Sequence, residues 1–230
     1  MISGSNRGIG AAIAKTLLQD GYLLSLGVRN PDTIPKELSS SKDVQTFRYD
    51  ATSDESARKW IQNTVDHFGS LDVLINNAGI LRVAGFEDNE ETDRNLEDLW
   101  RINVRAPFHL VRCALPHLKR GNNPKVINIA SMAGKRVPSI ATGIGYSMSK
   151  HAVIALTHGI RLQCWEEGVR ATAICPSFVN TDMVAHVNTV ASEKMTQPED
   201  VATLVSTVVG LPQTASVSEL YVSCRAESQY

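Results

Sequence analysis

Short runs of β-branched and aliphatic residues alternate along the chain with longer segments whose apolar positions recur at helical spacing. That alternation predicts repeated βα units around a parallel sheet. In the first helix, expected from about Ile9 to Asp20, Ala11, Ile13, Ala14, Leu17 and Leu18 form an apolar stripe and Gly21 supplies the stop. Leu23 to Val28 reads as strand two and, after the Asn30-Pro31 start signal and a polar stretch, Val44 to Tyr49 reads as strand three. Thr52-x-x-Glu55 is a capping box expected to open a helix that ends at Gly69, and Leu71 to Ile75 follows as strand four. The acidic stretch from Glu87 to Glu91 reads as a solvated helix entry, ahead of a long helix over Leu96 to Leu118 kinked at Pro107. Strand five is expected at Val126 to Ala130, a helix from about Tyr146 to Glu167, and strand six at Arg170 to Cys175. A further helix begins after Pro198, and Ser218 to Ser223 forms the last strand.

These elements predict one α/β domain over residues 1–230, an open, doubly wound parallel sheet in three layers. In such sheets ligands bind beyond the C-termini of the strands, so functional residues belong in the strand-to-helix turns. Composition narrows the choice of ligand. Lys and Arg number 23 against 24 Asp and Glu, a formal net charge of −1, which leaves no overall basic field for nucleic acid or an anionic membrane. Apolar stretches such as Val201 to Val209 are far shorter than the roughly 20 residues of a membrane span. The opening residues show no basic region followed by an apolar run, so a cytoplasmic location is expected. Cys113, Cys164, Cys175 and Cys224 form no C-x-x-C pair and the histidines no H-E-x-x-H, so reduced thiols and no metal site are expected.

The first turn reads Gly4-Ser5-Asn6-Arg7-Gly8-Ile9-Gly10, preceded by a strand of only about two residues. Its glycines allow the backbone to approach a diphosphate, whose charge then rests on the free N–H groups of a helix N-terminus. Strand four ends in Asn76-Asn77-Ala78-Gly79, strand five leads into Ser131-Met132-Ala133-Gly134, and Tyr146 stands four residues before Lys150 at a helix start.

Together with Asn103 and Pro176-x-x-x-x-Thr181, these motifs resemble the short-chain dehydrogenase/reductase family over nearly the whole chain. The resemblance implies a single Rossmann domain that binds NAD or NADP, exchanges hydride with a small carbonyl or alcohol substrate, and works as a homodimer or homotetramer. It implies that Tyr146 is the acid/base, Lys150 its partner, Ser131 a ligand of the substrate oxygen, and Asn103 part of a water relay. The implied cofactor contacts are Gly4, Ser5, Asn6, Arg7, Gly8, Ile9, Gly10, Arg29, Asp50, Ala51, Asn77, Ala78, Gly79, Tyr146, Lys150, Pro176, Val179 and Thr181, the last reaching the nicotinamide amide.

The physical chemistry points the same way. Hydride delivery to a carbonyl carbon builds negative charge on its oxygen, which needs a proton donor and fixed hydrogen bonds. Tyr146 and Lys150 share a helix face, where the ammonium is expected to depress the phenol pKa from about 10 toward the working range. At the end of strand two, where an NAD enzyme places a carboxylate for the ribose 2′-OH, stands Arg29-Asn30. Arg29, with Arg7 reaching the same 2′-phosphate, predicts a preference for NADP over NAD. Asp32 is expected to turn away beyond Pro31.

Two departures bear on the substrate. The loop between Ser131 and Tyr146 is slightly enlarged, and the usual Pro-Gly after strand six is Pro176-Ser177. A rather open pocket is expected, walled by Met132 to Gly145 and by Met183 to Met195. A nonenzymatic dinucleotide sensor would need the phosphate turn but not the Asn103, Ser131, Tyr146 and Lys150 set. A serine hydrolase would need a G-x-S-x-G elbow, and Gly145-Tyr146-Ser147-Met148-Ser149 lacks its final glycine.

Overall fold

The computed structural model describes residues 1–137, 143–185 and 190–226. Seven strands form one all-parallel sheet in the order β3-β2-β1-β4-β5-β6-β7. They are β1 (Ile2–Ser3), β2 (Leu24–Val28), β3 (Val44–Arg48), β4 (Val73–Asn76), β5 (Lys125–Ile129), β6 (Arg170–Pro176) and β7 (Glu219–Val222). The two-residue β1 suffices because it is central: Ile2 pairs with Leu26 on one side and Ile75 on the other. Here the winding reverses between β1 and β4, which opens a crevice at the strand C-termini.

Helices α1 (Gly8–Gln19) and α7 (Pro198–Gly210) cover one face of the sheet. Ile13, Leu17, Val201 and Val205 pack there on Leu26, Ile127 and Ile174. On the other face, α3 (Asp54–Phe68), α5 (Ala106–Leu118) and α6 (Ile144–Cys164) bring Trp60, Leu110, Leu118 and Ile160 onto Leu74, Val126 and Ala171. Neighbouring residues of β4 and β5 thus serve opposite cores, the period-2 alternation that a doubly covered sheet requires. A four-residue helix, α2 (Lys36–Ser39), lies between β2 and β3, and α4 (Glu90–Leu99) precedes α5. Gly27 is dictated by packing: a Cβ there would stand 2.5 Å from the Trp60 ring, whose Nε1 donates to Ser25 Oγ at 2.9 Å.

Most predicted boundaries agree with these to within two residues, and Gly69 ends α3 in the left-handed conformation at φ 79°. Two expectations change. The cap of α3 is Ser53, which accepts from Ser56 N at 3.1 Å, and not Thr52. Thr52 is drawn off by Asp50, whose Oδ1 takes both its N–H and its hydroxyl at 2.8 Å. The long helix begins at Glu90, capped by Asn89 and led by the acidic residues predicted to be a solvated entry. It widens into a π-helical segment over Trp100–Arg105 before α5. Pro107 has no N–H to return to the carbonyl of Asn103, so the α-helical ladder breaks ahead of the proline.

Candidate active site

The glycine turn after β1 places Gly4 at φ 67° and Gly8 at φ 53°, conformations that side chains disfavour. Gly10 is held for a different reason. A Cβ there would lie 2.3 Å from the Gly4 carbonyl oxygen and 2.4 Å from Asn77 Nδ2. Asn77 fills that space by donating to the carbonyls of Ser3 and Gly4 at 3.0 and 2.9 Å. Ser3 Oγ in turn accepts from the N–H groups of Asn77 and Ala78, both at 3.0 Å. The turns after β1 and β4 are therefore one bonded unit, in which Ser3 is a member that the motifs did not single out.

That unit fits a diphosphate. Arg7 caps α1 without a side-chain hydrogen bond, and the first turn of the helix contains no acidic residue. Within the turn, Ser5 Oγ is fully buried and has no hydrogen-bond partner among the described residues. Asn6 Nδ2 reaches across to Thr33 Oγ1 at 3.1 Å, tying the glycine turn to the short turn after β2. Arg29 is exposed just past β2 and contributes to holding the Asp50 carboxyl below its usual range, behind the larger effect of the Thr52 hydrogen bonds. Asp32 lies in the turn capped by the Asn30 side chain, as expected beyond Pro31. Ala51 is half-buried against the α3 side of the core.

In the protein alone the Arg7 guanidinium pairs with Asp182 at 2.9 Å, on the segment after β6. The physical reason is proximity: Gly8 faces Thr181 so closely that a Cβ on the glycine would stand 3.2 Å from Thr181 Cγ2, and the neighbouring Arg7 therefore meets the neighbouring Asp182. Pro176 ends β6, its carbonyl accepting from Ser131 Oγ at 3.5 Å, and Val179 is buried and bridged to Thr196. Ser177 continues the pairing with β7, donating its N–H to Val222 O at 2.8 Å, and adopts no left-handed backbone.

Tyr146 and Lys150 lie on the buried face of α6. Lys150 Nζ donates to Ile129 O on β5 at 3.0 Å and lies 5.7 Å from the Tyr146 ring centroid. Burial pulls the lysine down to about 8 and pushes the Tyr146 phenol up to about 12, opposed by a hydrogen bond with the Ser131 side chain. The expected lowering of the phenol by Lys150 is thus overturned in the protein alone. Desolvation is the largest influence on the phenol, and the ammonium donates to the Ile129 carbonyl.

Asn103 is buried in the π-helical segment, and its carboxamide is fully engaged. Its oxygen accepts from Ile80 N at 2.8 Å, while Nδ2 donates to Ile80 O at 2.9 Å and Ser149 Oγ at 3.1 Å. Ser149 then donates to Tyr146 O at 2.7 Å. This links the turn after β4, the π segment and the Tyr146 helix. The motifs do not single out Ser149, although its position beside Lys150 is a usable signal. Ser147 sits inside α6 with its hydroxyl on Gly143 O, at 3.3 Å, and so forms no nucleophile elbow.

Of the predicted pocket walls, residues 138–142 and 186–189 lie outside the described residues. Among the described residues no cluster of three His, Cys, Asp or Glu side chains is placed to hold a metal, and no helix is long and apolar enough to cross a membrane.

Comparison with known proteins agrees with this geometry. The family model described as short chain dehydrogenase matches residues 1–191. An agropine synthesis reductase of Rhizobium rhizogenes is 38% identical over 99% of this chain, and the chain spans about half of that relative, 53% of its length. A dehydrogenase/reductase of Sinorhizobium meliloti superposes with a TM-score of 0.86 at 30% identity, covering 97% of this chain and 92% of that one. A short chain dehydrogenase of Burkholderia cenocepacia, solved in complex with NADP, gives 0.86 at 27% identity, covering 97% and 95%. The chain belongs to the short-chain dehydrogenase/reductase family, with the Rossmann-type fold of its structural neighbours.

Proposed function

We propose that residues 1–230 form one dinucleotide-binding and catalytic unit that transfers hydride between NADP(H) and a small carbonyl or alcohol substrate. The observation that carries this reading is the buried Tyr146, hydrogen-bonded with Ser131 and backed by Lys150, whose Nζ lies 3.6 Å from where a Cβ on Gly79, in the turn after β4, would stand. The nicotinamide supplies the hydride. Tyr146, protonated across the neutral range, gives its proton to the substrate oxygen in reduction and accepts one in oxidation. Ser131 holds that oxygen with a second hydrogen bond. Lys150 carries the positive charge that stabilises the phenolate left behind. Asn103 acts by position, fixing the turn after β4 against α6, and any relay of protons runs past its backbone carbonyl, which Pro107 leaves without an α-helical donor.

Cofactor preference rests on Arg29, the cation at the strand-two end where an acidic residue would select NAD. The NADP-bound relative supports the same choice. A dinucleotide sensor has no need of the Ser131, Tyr146 and Lys150 set. The exposed Leu96, Trp100, Phe108 and Met148 on α4 to α6 support a homo-oligomer. Four free cysteines suit a reducing cytoplasm. The test is turnover of NADPH and NADH on a panel of ketones, diketones, oxoacyl thioesters and precursors of agropine, the last chosen for the similarity to agropine synthesis reductase. Hydride transfer to any of them that persists in Tyr146→Phe would break the reading.

A further inference from the structure

Ser131 leads into a single short helical turn, Met132–Gly134, beyond the end of β5. Its hydroxyl accepts from Ala133 N at 3.1 Å, and the N–H groups of Gly134 and Lys135 return to the carbonyls of Ser131 and Met132 at 2.9 and 3.0 Å. One side of the turn is pressed against α6, where a Cβ on Gly134 would stand 2.6 Å from Lys150 O. The apolar support beneath it is small. Met132 belongs to a satellite cluster to which β6 contributes only the short side chains of Ala173 and Cys175.

The other hold on the turn is a carboxylate two strands away. Lys135, which closes the turn, reaches past β6 and places Nζ 3.1 Å from Glu219 Oε2 on β7. Glu219 stands in register with Ala173 and Tyr221 with Cys175, so both flank the satellite cluster. Although β7 is the edge of the sheet, the Glu219 side chain is only 12% exposed. Its second oxygen lies 2.7 Å from His158 Nε2 of α6, and the Tyr221 hydroxyl donates to the oxygen that Lys135 also holds. Burial pushes the Glu219 carboxyl up, yet the hydrogen bonds of Tyr221 and Lys135, with the charges of Lys135 and His158, leave it below its usual range. Hydrogen bonding with Tyr221 and Glu219 raises the Lys135 ammonium, so both partners stay charged at neutral pH. A lone surface ion pair would fix little, but here groups from α6, β7 and the Ser131 turn converge on one carboxylate as a network.

Resting on the hydride-transfer reading above, we propose that Glu219 is a positioning residue, which through Lys135 fixes the Met132–Gly134 turn and so holds the Ser131 hydroxyl against the Tyr146 phenol and the substrate oxygen. Loss of the carboxylate loosens one hydrogen bond at the reacting oxygen and leaves the glycine turn and Arg29 untouched. The effect therefore falls on kcat and not on cofactor affinity.

The test is single-turnover hydride transfer from NADPH to a ketone that the wild type reduces, with NADPH affinity and thermal melts alongside. The variants are Glu219→Gln, Lys135→Met and Lys135→Arg, with the first two also combined with Ser131→Ala. Glu219→Gln and Lys135→Met should each slow the transfer by roughly tenfold while the NADPH Kd stays within about twofold of wild type. Lys135→Arg, which keeps a cation within reach of Glu219, should recover most of the rate. In the Ser131→Ala background neither substitution should cost anything further, because the hydroxyl they position is gone. Lys135→Met, on a side chain 40% exposed, carries the test should Glu219→Gln not fold. Unchanged rates, a full further loss in the Ser131→Ala background, or a loss that follows NADPH affinity overturns the proposal. A wild type that reduces no member of the panel defeats the hydride-transfer reading instead. Crystal structures of wild type and Lys135→Met then decide the positioning alone, a displaced Ser131 turn supporting it and an unmoved one overturning it.

Discussion

At the Tyr146 end of the crevice the polar side chains are buried or half-buried and their hydrogen bonds join elements far apart in sequence. Lys150 reaches Ile129, Asn103 reaches Ile80 and Ser149, and Asn77 reaches Ser3 and Gly4. At the Arg29 end the bonds are mostly exposed and local: Asn30 with Asp32, Thr33 with Asn30, and Thr52 with Asp50. The first arrangement is rigid because each bond is held in place by the fold, and moving one partner disturbs several strands. The second can change charge without changing the fold. Chemistry and stability should therefore be coupled at the Tyr146 end and separable at the Arg29 end.

The sharpest division comes from Tyr146→Phe. Removing the hydroxyl takes away the proton donor but leaves the buried ring, so kcat should fall by at least about 10²-fold while cofactor affinity stays near wild type. Stopped-flow turnover and a fluorescence titration of NADPH check the two halves. Asn77→Ala should show the coupling directly. It deletes two hydrogen bonds that join the turns after β1 and β4, and should cost about 1–3 kcal/mol in urea unfolding together with weakened cofactor binding. An Asn77→Ala protein that loses affinity at unchanged stability would separate what the structure joins.

The sheet and its order are legible in the sequence because strand runs and helical stripes obey simple periods, and the glycine turn because its residues must leave space for backbone and for Asn77. The π-helical segment is not, since Pro107 marks a break in the ladder without saying on which side the helix widens. Thr52 and Ser53 are equally good caps in sequence; only the position of Asp50 decides between them. The Arg7–Asp182 pair is hidden as well, since its partners meet only through the convergence of the turns after β1 and β6. The direction of the phenol shift is hidden for a similar reason. Helical spacing puts Lys150 near Tyr146, but the direction of its ammonium depends on the Ile129 carbonyl of another element.

At the exposed end, Arg29→Asp should move cofactor preference without moving stability. If Arg29 makes one charge-assisted contact with the 2′-phosphate, wild type should favour NADPH by roughly tenfold or more and the variant should lose that margin. Thermal melts of the two proteins should coincide. Equal or tighter NADH binding by wild type, or a large fall in melting temperature on substitution, would break the contrast between the two ends.

The smallest effect expected is a pH limb set by Lys150. With cofactor as the varied substrate, kcat/KM reports ionisations of the free enzyme. Burial keeps the Tyr146 phenol protonated up to about 12, so the titrating group in the useful range is the lysine, pulled down to about 8. Below that value it is charged and can attract the anionic cofactor and stabilise a phenolate; above it both abilities are lost. Activity should hold to about pH 8 and then fall severalfold over the next unit or so. Lys150→Arg, whose guanidinium stays charged, should flatten this limb even if the rate is lower throughout. Stability should run the other way. The folded-state pKa of Lys150 lies below its ordinary 10.5, so between about 8 and 10.5 the unfolded chain binds more protons and this group's contribution to stability rises with pH. Activity that falls while this contribution rises identifies loss of the ammonium; a limb that follows the melting temperature downward, or that survives in Lys150→Arg, would assign it to unfolding or to another group.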